Sequence, residues 1–198
     1  MRPSRGSKSD ISEAKALAFI DGRSSYPQAE RAMEEVTREL GTSLAEHNER
    51  VVRAVAAMSL GVSPESVAKH LSWKEFESFC AKLLQGSGYS VEENMTLTKP
   101  RAQIDIVATG RSHVLSVDCK HWERAHSPSA LASFAVAQKR RSELYRRAKP
   151  EAKPVVSVIL SFSQPEGSFV EGVPVVPVRS LMSFLGSIEA YSELTYAC

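Results

Sequence analysis

Residues 114–122 read VLSVDCKHW, and this stretch decides the fold. Its apolar, β-branched start predicts a buried strand, in which successive side chains point to opposite faces. Asp118 and Lys120 therefore share one face at the end of the strand, while Cys119 faces the other way. A strand that ends with a carboxylate and an ammonium group on one face predicts a functional site at this position.

The preceding strand is predicted to place a second carboxylate beside the first. With residues 110–113 as a four-residue hairpin loop, Asp105 faces Asp118 across the ladder, and their Cβ atoms lie about 4.5–5.5 Å apart. Ile104 and Ile106 then lie on the opposite, apolar face. A register shifted by one residue would expose both isoleucines, so the hydrophobic pattern predicts this register.

The two predicted carboxylates could be stabilised by a divalent cation, since without it one of them would tend to hold a proton. Two carboxylates this close repel each other, and hard oxygen ligands suit Mg²⁺ or Mn²⁺ better than zinc. Glu77 is a third candidate ligand, because it lies on the apolar stripe of a helix that begins after the capping box at 72–75, and a buried carboxylate needs a partner. Lys120 is placed to orient or help to deprotonate a metal-bound water, or to neutralise a phosphorane-like charge as it develops.

Three segments together resemble a known nuclease superfamily. WKEFE at 73–77, QIDIVA at 103–108 and VDCKHW at 117–122, in this order, resemble the PD-(D/E)xK superfamily, and most closely its Mrr-type restriction endonuclease-like branch. The resemblance covers about residues 72–190. It implies an α/β fold with a restriction endonuclease-like core of a helix, a three-stranded meander, a helix and a strand, and metal-dependent hydrolysis of DNA phosphodiester bonds.

The resemblance also implies a role for individual residues. The metal ligands are Asp105, Asp118, the helix carboxylate Glu77 and the carbonyl of Cys119, the catalytic lysine is Lys120, and a further catalytic residue in the following helix is Gln138. Two positions depart from the common pattern. Ser142 stands where a tyrosine often follows the glutamine, and Ile104 stands where a proline often precedes the first aspartate.

The helix predicted at 128–148 ends in a basic run. Residues 139–154 have a net charge of +5, although the whole chain has only +2. We expect part of this run to contact the phosphate backbone of a nucleic acid, through Lys139, Arg140, Arg141, Arg146 and Arg147. The alternative is a solvated helix face without a ligand.

The chain is predicted to have three parts. Residues 1–9 form a disordered basic tail, residues 10–71 a helical arm, and residues 72–198 the nuclease-like domain. The arm is predicted to be helical because apolar residues recur at spacings of three and four. It holds ten acidic and seven basic residues, so we expect it to dimerise or to pack on the catalytic domain. SPESVAKHL at 63–71 could instead be the recognition helix of a helix-turn-helix motif.

Composition narrows the class of protein. No apolar run is long enough to span a membrane, and three cysteines are too few for a disulfide framework, so we expect a cytoplasmic protein. The predicted function is a divalent-metal-dependent DNA endonuclease that works as a homodimer. The alternatives are a catalytically inactive module that binds DNA or organises a complex, and, less favoured, an RNA-processing relative. Asp118 and Lys120 could also form an exposed ion pair that contributes little to the stability of the fold.

Overall fold

The computed structural model describes residues 12–40, 48–121, 126–150, 153–162 and 168–188. The chain divides into two compact units, with the boundary between His70 and Leu71. The predicted tail at 1–9 lies outside the described residues. Among the described helices, none has an apolar stretch long enough for a membrane span.

The N-terminal unit is helical and has an apolar core of its own. Its helices are α1 (Glu13–Ile20), α2 (Pro27–Leu40), α3 (Glu49–Ser59) and α4 (Pro64–Ala68). Phe19 of α1 packs with Val36 of α2 and Val52 of α3. The predicted recognition helix at 63–71 contains only the five-residue α4, which is short for reading a major groove.

The C-terminal unit begins with the helix that the capping box predicts. In α5 (Trp73–Gly86), the hydroxyl of Ser72 accepts the N–H of Glu75 at 3.4 Å, and the carboxylate of Glu75 accepts the N–H of Ser72 at 2.7 Å. Two main-chain donors that the first helical turn leaves unpaired are thus satisfied.

A mixed six-stranded sheet follows. The strands and the later helices are β1 (Ser90–Thr98), β2 (Arg101–Thr109), β3 (Val114–Lys120), α6 (Pro128–Ala148), β4 (Val155–Ser161), β5 (Ser168–Val170), β6 (Val173–Pro177) and α7 (Leu181–Ser187). The strand order is β1-β2-β3-β4-β6-β5. The meander is antiparallel, whereas β3, β4 and β6 run parallel, with α6 as the crossover between β3 and β4. The predicted core of a helix, a three-stranded meander, a helix and a strand is confirmed.

The hairpin between β2 and β3 has the predicted loop and register from Thr109 to Ile106. The ladder ends there, so Asp105 and Asp118 are not one of its pairs, and the predicted distance between their Cβ atoms stays a prediction. Oδ2 of Asp105 instead accepts the main-chain N–H of Cys119 at 2.8 Å. The side chain thus takes the place of a main-chain partner where the ladder stops.

The alternation of faces along β2 breaks at Asp105. Asn94 lies opposite Asp105 on β1 and has a φ of 55°, in the left-handed region. Asn94 and Asp105 do not pair in the β1–β2 ladder, although the residues on both sides of them do. Ile104 consequently packs with Val107 and Val114, which an unbroken alternation would place on the other face. The prediction that Ile104 shares a face with Ile106 is wrong for this reason.

Candidate active site

Asp118 and Lys120 form a largely buried ion pair at the end of β3. The Asp118 residue is 4% exposed, and Nζ of Lys120 lies 2.9 Å from its Oδ1 and 2.8 Å from its Oδ2. The two side chains lie on one face, as the period of the strand predicts. Because the carboxylate is buried, the alternative of an exposed surface pair is wrong.

Asp105 lies beside this pair and is half-buried. Burial raises the pKa of its carboxyl above the ordinary value. The hydrogen bond from the Cys119 amide opposes this rise, while the negative charge of Asp118 adds to it. The two aspartates therefore interact electrostatically, although they are not paired across the ladder.

Glu77 is the third carboxylate, and α5 holds it in a buried position. Its Oε1 makes no hydrogen bond within the part of the chain that the structure describes. Burial, together with the negative charges of Asp105 and Asp118, raises the pKa of Glu77 to about 7. Near neutral pH this carboxyl group thus exists in both protonation states, and one of its oxygens lacks a partner.

Cys119 links α5 to β3 from the opposite face. Its thiol is fully buried and contacts Cys80 of α5, and this hydrogen bond, together with burial, raises the pKa of the Cys119 thiol well above its usual range. Both thiols are free and lie in the helix–sheet interface. The predicted role of Cys119 concerned only its carbonyl oxygen, and it stays a prediction.

Gln138 lies beneath β3 and contacts the site only indirectly. It is fully buried, and its Nε2 donates to the main-chain carbonyl of Ser116 at 2.7 Å and to the Ser116 hydroxyl at 3.2 Å. Its Oε1 accepts a hydrogen bond from Arg141 at 3.3 Å. These contacts make Gln138 a positioning residue for the strand that carries Asp118.

The structure separates Arg141 from the other basic residues of the predicted run. Nη1 of Arg141 lies 3.4 Å from Oδ1 of Asp118, so this guanidinium belongs to the carboxylate site. Sequence reasoning placed it with the phosphate-binding residues. The available signal was its position three residues after Gln138, which puts both side chains on one face of α6.

The remaining basic residues extend along α6 away from the carboxylates. Arg140, Arg146 and Arg147 are exposed and Lys139 is half-buried. Arg146 and Arg147 follow Tyr145, whose ring packs in the cluster that contains the first residues of β3 and β4. They therefore lie towards the opposite end of the sheet from Asp118.

The site residues suit a hard divalent cation in their chemistry. All three acidic side chains offer oxygen, and one buried oxygen of Glu77 has no hydrogen-bond partner within the described residues. However, no group of three or more His, Cys, Asp or Glu side chains within the described ranges is arranged to hold a metal ion. Instead, Lys120 and Arg141 balance the charge of Asp118.

Comparison with known proteins gives a family for this part of the chain. Residues 68–148 match the family model described as restriction endonuclease, of the Mrr type. Residues 68–148 are thus similar to a restriction endonuclease domain. The matched segment runs from the last residue of α4 through α5 and the meander to the end of α6, and so includes Glu77, Asp105, Asp118 and Lys120. This similarity supports a nuclease-type enzyme.

One relative is similar over most of its own length. An uncharacterized protein from Archaeoglobus fulgidus is 27% identical over 124 residues, which is 61% of this chain and 95% of the relative. No solved structure matches the chain.

Proposed function

We propose that the protein is a divalent-metal-dependent endonuclease that hydrolyses DNA phosphodiester bonds. One observation carries this proposal: Glu77, Asp105 and Asp118 interact electrostatically with one another and with Lys120 at the end of β3, within a segment similar to a restriction endonuclease domain. Burying interacting carboxylates raises the free energy of the folded protein unless a cation balances their charge. Such clusters are therefore typical of functional sites.

Glu77, Asp105 and Asp118 would hold Mg²⁺ or Mn²⁺, with the carbonyl of Cys119 as a further ligand. When bound, the ion would polarise the phosphate and stabilise its developing charge. Lys120 donates hydrogen bonds from the same face of β3 and is placed to orient the attacking water or to stabilise negative charge on the phosphate. Its ion pair with Asp118 fixes where its ammonium group lies.

The exposed side of α6 is the proposed contact with the DNA backbone. Arg140 and Arg147 are seven residues apart, which corresponds to about 10 Å along a helix. Together with Lys139 and Arg146, they would bind phosphates along the duplex without reading sequence, and Arg146 and Arg147 would do so at a distance from the cleavage site. DNA is the favoured substrate and RNA the less favoured one.

Cleavage of both strands favours an assembly with two active sites, so we propose that the protein acts as a C2 homodimer. The helices at 10–71 are the proposed dimerisation element. Their apolar core and net negative charge fit this role better than a role in DNA reading.

The direct test is cleavage by the purified full chain. Supercoiled, linear, branched and single-stranded DNA, and RNA of matched sequence, would be incubated with Mg²⁺, Mn²⁺ or EDTA. We expect cleavage of DNA only in the presence of a divalent ion. Lys120→Ala should lose cleavage but retain DNA binding.

An inactive DNA-binding module is the second candidate function. The observation that favours it is the pairing of Asp118 with two cationic side chains in place of a closed set of ligands. If wild-type protein binds DNA but cuts none of these substrates with either metal ion, the protein is an inactive DNA-binding module and not an endonuclease.

Arg146→Ala/Arg147→Ala is expected to weaken DNA binding and its dependence on salt. The logarithm of the DNA association constant falls linearly with the logarithm of the salt concentration. Each phosphate contact that is lost should make this fall less steep by about 0.9. The double variant should therefore lose about 2 units of slope. Fluorescence anisotropy of a labelled duplex, measured over a series of salt concentrations, gives both quantities.

The matched control is Arg31→Ala/Arg38→Ala, which removes two exposed positive charges from α2. Its slope should equal that of the wild type. A weaker salt dependence in the control, but not in the α6 variant, would show that the N-terminal unit and not α6 contacts the DNA.

A further inference from the structure

Arg141 contacts two polar groups at once. Nη1 lies 3.3 Å from Oε1 of Gln138 and 3.4 Å from Oδ1 of Asp118. Its side chain is 32% exposed. Within the described residues, Nε and Nη2 make no hydrogen bond, so much of a guanidinium fork next to the carboxylates is available to an anion.

A rigid acceptor positions this guanidinium. Gln138 is fully buried, and its Nε2 is bonded to the carbonyl and hydroxyl of Ser116. Its Oε1 is thereby turned towards Arg141. The arginine is thus held by a side chain that is itself fixed to β3, two residues before Asp118.

Two cations share the carboxylate of Asp118. Lys120 is two residues away on the same strand and lies 2.8–2.9 Å from both oxygens. Arg141 lies on α6, and its Nη1 is farther from the carboxylate, at 3.4 Å from Oδ1. Its side chain is also more exposed than that of Lys120. A divalent ion that binds Asp118 must therefore compete with positive charge already in place, and Arg141 makes the weaker contact.

We propose that Arg141 is an exchangeable counter-ion. It neutralises Asp118 while no divalent ion is bound, and it contacts the phosphate that is being cleaved once an ion has bound. This inference rests on the proposed nuclease function. The planar guanidinium fork suits the second role, because it binds phosphate through two parallel hydrogen bonds.

The test compares Arg141→Ala with Arg111→Ala in the full chain. Arg111 is an exposed arginine in the hairpin loop at 110–113, outside the proposed active site and DNA contact, so both variants lose one positive charge from the C-terminal unit. The first measurement is Mn²⁺ binding without DNA, by calorimetry at physiological ionic strength. Removal of a partly exposed counter-ion should tighten Mn²⁺ binding about fivefold in Arg141→Ala. Arg111→Ala should bind Mn²⁺ like the wild type, since exposed charges at a distance are screened.

The second measurement is the single-turnover cleavage rate at saturating DNA and Mn²⁺. Loss of a hydrogen-bond donor to the reacting phosphate should slow Arg141→Ala about 100-fold. Arg111→Ala should leave this rate unchanged.

Unchanged Mn²⁺ affinity in Arg141→Ala would overturn the role of Arg141 as the counter-ion that a divalent ion displaces. Tighter Mn²⁺ binding with an unchanged cleavage rate would overturn its contact with the reacting phosphate. In both cases the wild type still binds Mn²⁺ and cuts DNA, so the proposed function stands. A wild type that binds no Mn²⁺ overturns the function and this inference together.

Discussion

Asp118→Asn is expected to slow DNA cleavage by about 1,000-fold or more, because it removes the proposed anionic ligand of the divalent ion. The carboxylate is buried between Lys120 and Arg141, and asparagine keeps its shape while losing its charge. DNA binding should be retained, since the change makes the site more positive. Single-turnover cleavage and anisotropy with the same labelled duplex measure the two effects.

Glu92→Gln is the matched control for Asp118→Asn. Glu92 is an exposed carboxylate on β1, and its loss should leave cleavage unchanged. Because Asp118→Asn leaves Lys120 and Arg141 without their anion, its folding must be verified by urea unfolding. A folded variant that cuts at the wild-type rate would show that Asp118 is not a ligand.

Glu77→Gln is expected to stabilise the metal-free protein at high pH. The pKa of Glu77 is about 7 in the fold, against an ordinary value of 4.5. Between these two values, the unfolded chain has lost this proton while the folded chain retains it, so stability falls as the pH rises towards 7 and stays lower above it. Glutamine cannot ionise and avoids this loss. At pH 8 the variant should therefore be about 1–2 kcal/mol more stable, which is less than the full shift implies because solvent screens part of it.

Urea unfolding followed by tryptophan fluorescence measures this difference. Both tryptophans, Trp73 and Trp122, belong by sequence to the C-terminal unit, so the signal reports the unit that contains Glu77. Wild type and variant should have equal stability near pH 4.5 and diverge up to about pH 7. Saturating Mn²⁺ should reverse the order at pH 8, because only the wild type keeps this ligand. Equal stabilities at pH 8 without metal would contradict the raised pKa.

Sequence reasoning succeeded where local chemistry determines structure. The bounds of α5 follow from its capping box and its apolar stripe, and those of α6 from Pro128 at its start and Pro150 beyond its end. The register of the β2–β3 hairpin follows from its four-residue loop. In each case, the residues that specify the structure lie within a few positions of one another.

Sequence reasoning failed where a neighbouring element changes the geometry. Nothing in QIDIVA indicates that the residue opposite Asp105 adopts a left-handed conformation, so the change of face at Ile104 could not be foreseen. The contact of Arg141 with Asp118 depends on how α6 packs on β3. A run of basic residues in the sequence does not separate the member that turns inwards from those that face solvent.

The apolar residues of the helical arm show the same limit. Between Met33 and Met58 they recur at spacings of three and four, with Gly41-Thr42-Ser43 among them, so they fit either two helices or one helix with a weak point. The structure has two, since Val36 of α2 and Val52 of α3 pack in one core. Spacings of three and four place residues on a helix face but do not tell whether the chain reverses between them.

The hydrogen bond between Asp105 and Cys119 has a consequence for the choice of cation. Because Oδ2 of Asp105 accepts the main-chain N–H of Cys119, this carboxylate would bind the proposed cation through its other oxygen, as a monodentate ligand. Such a ligand suits the regular octahedron of a small ion that keeps several waters, such as Mg²⁺. Ca²⁺ favours higher coordination numbers, often with carboxylates that bind through both oxygens. The end of the β2–β3 ladder would thus favour small divalent ions over calcium at the proposed site.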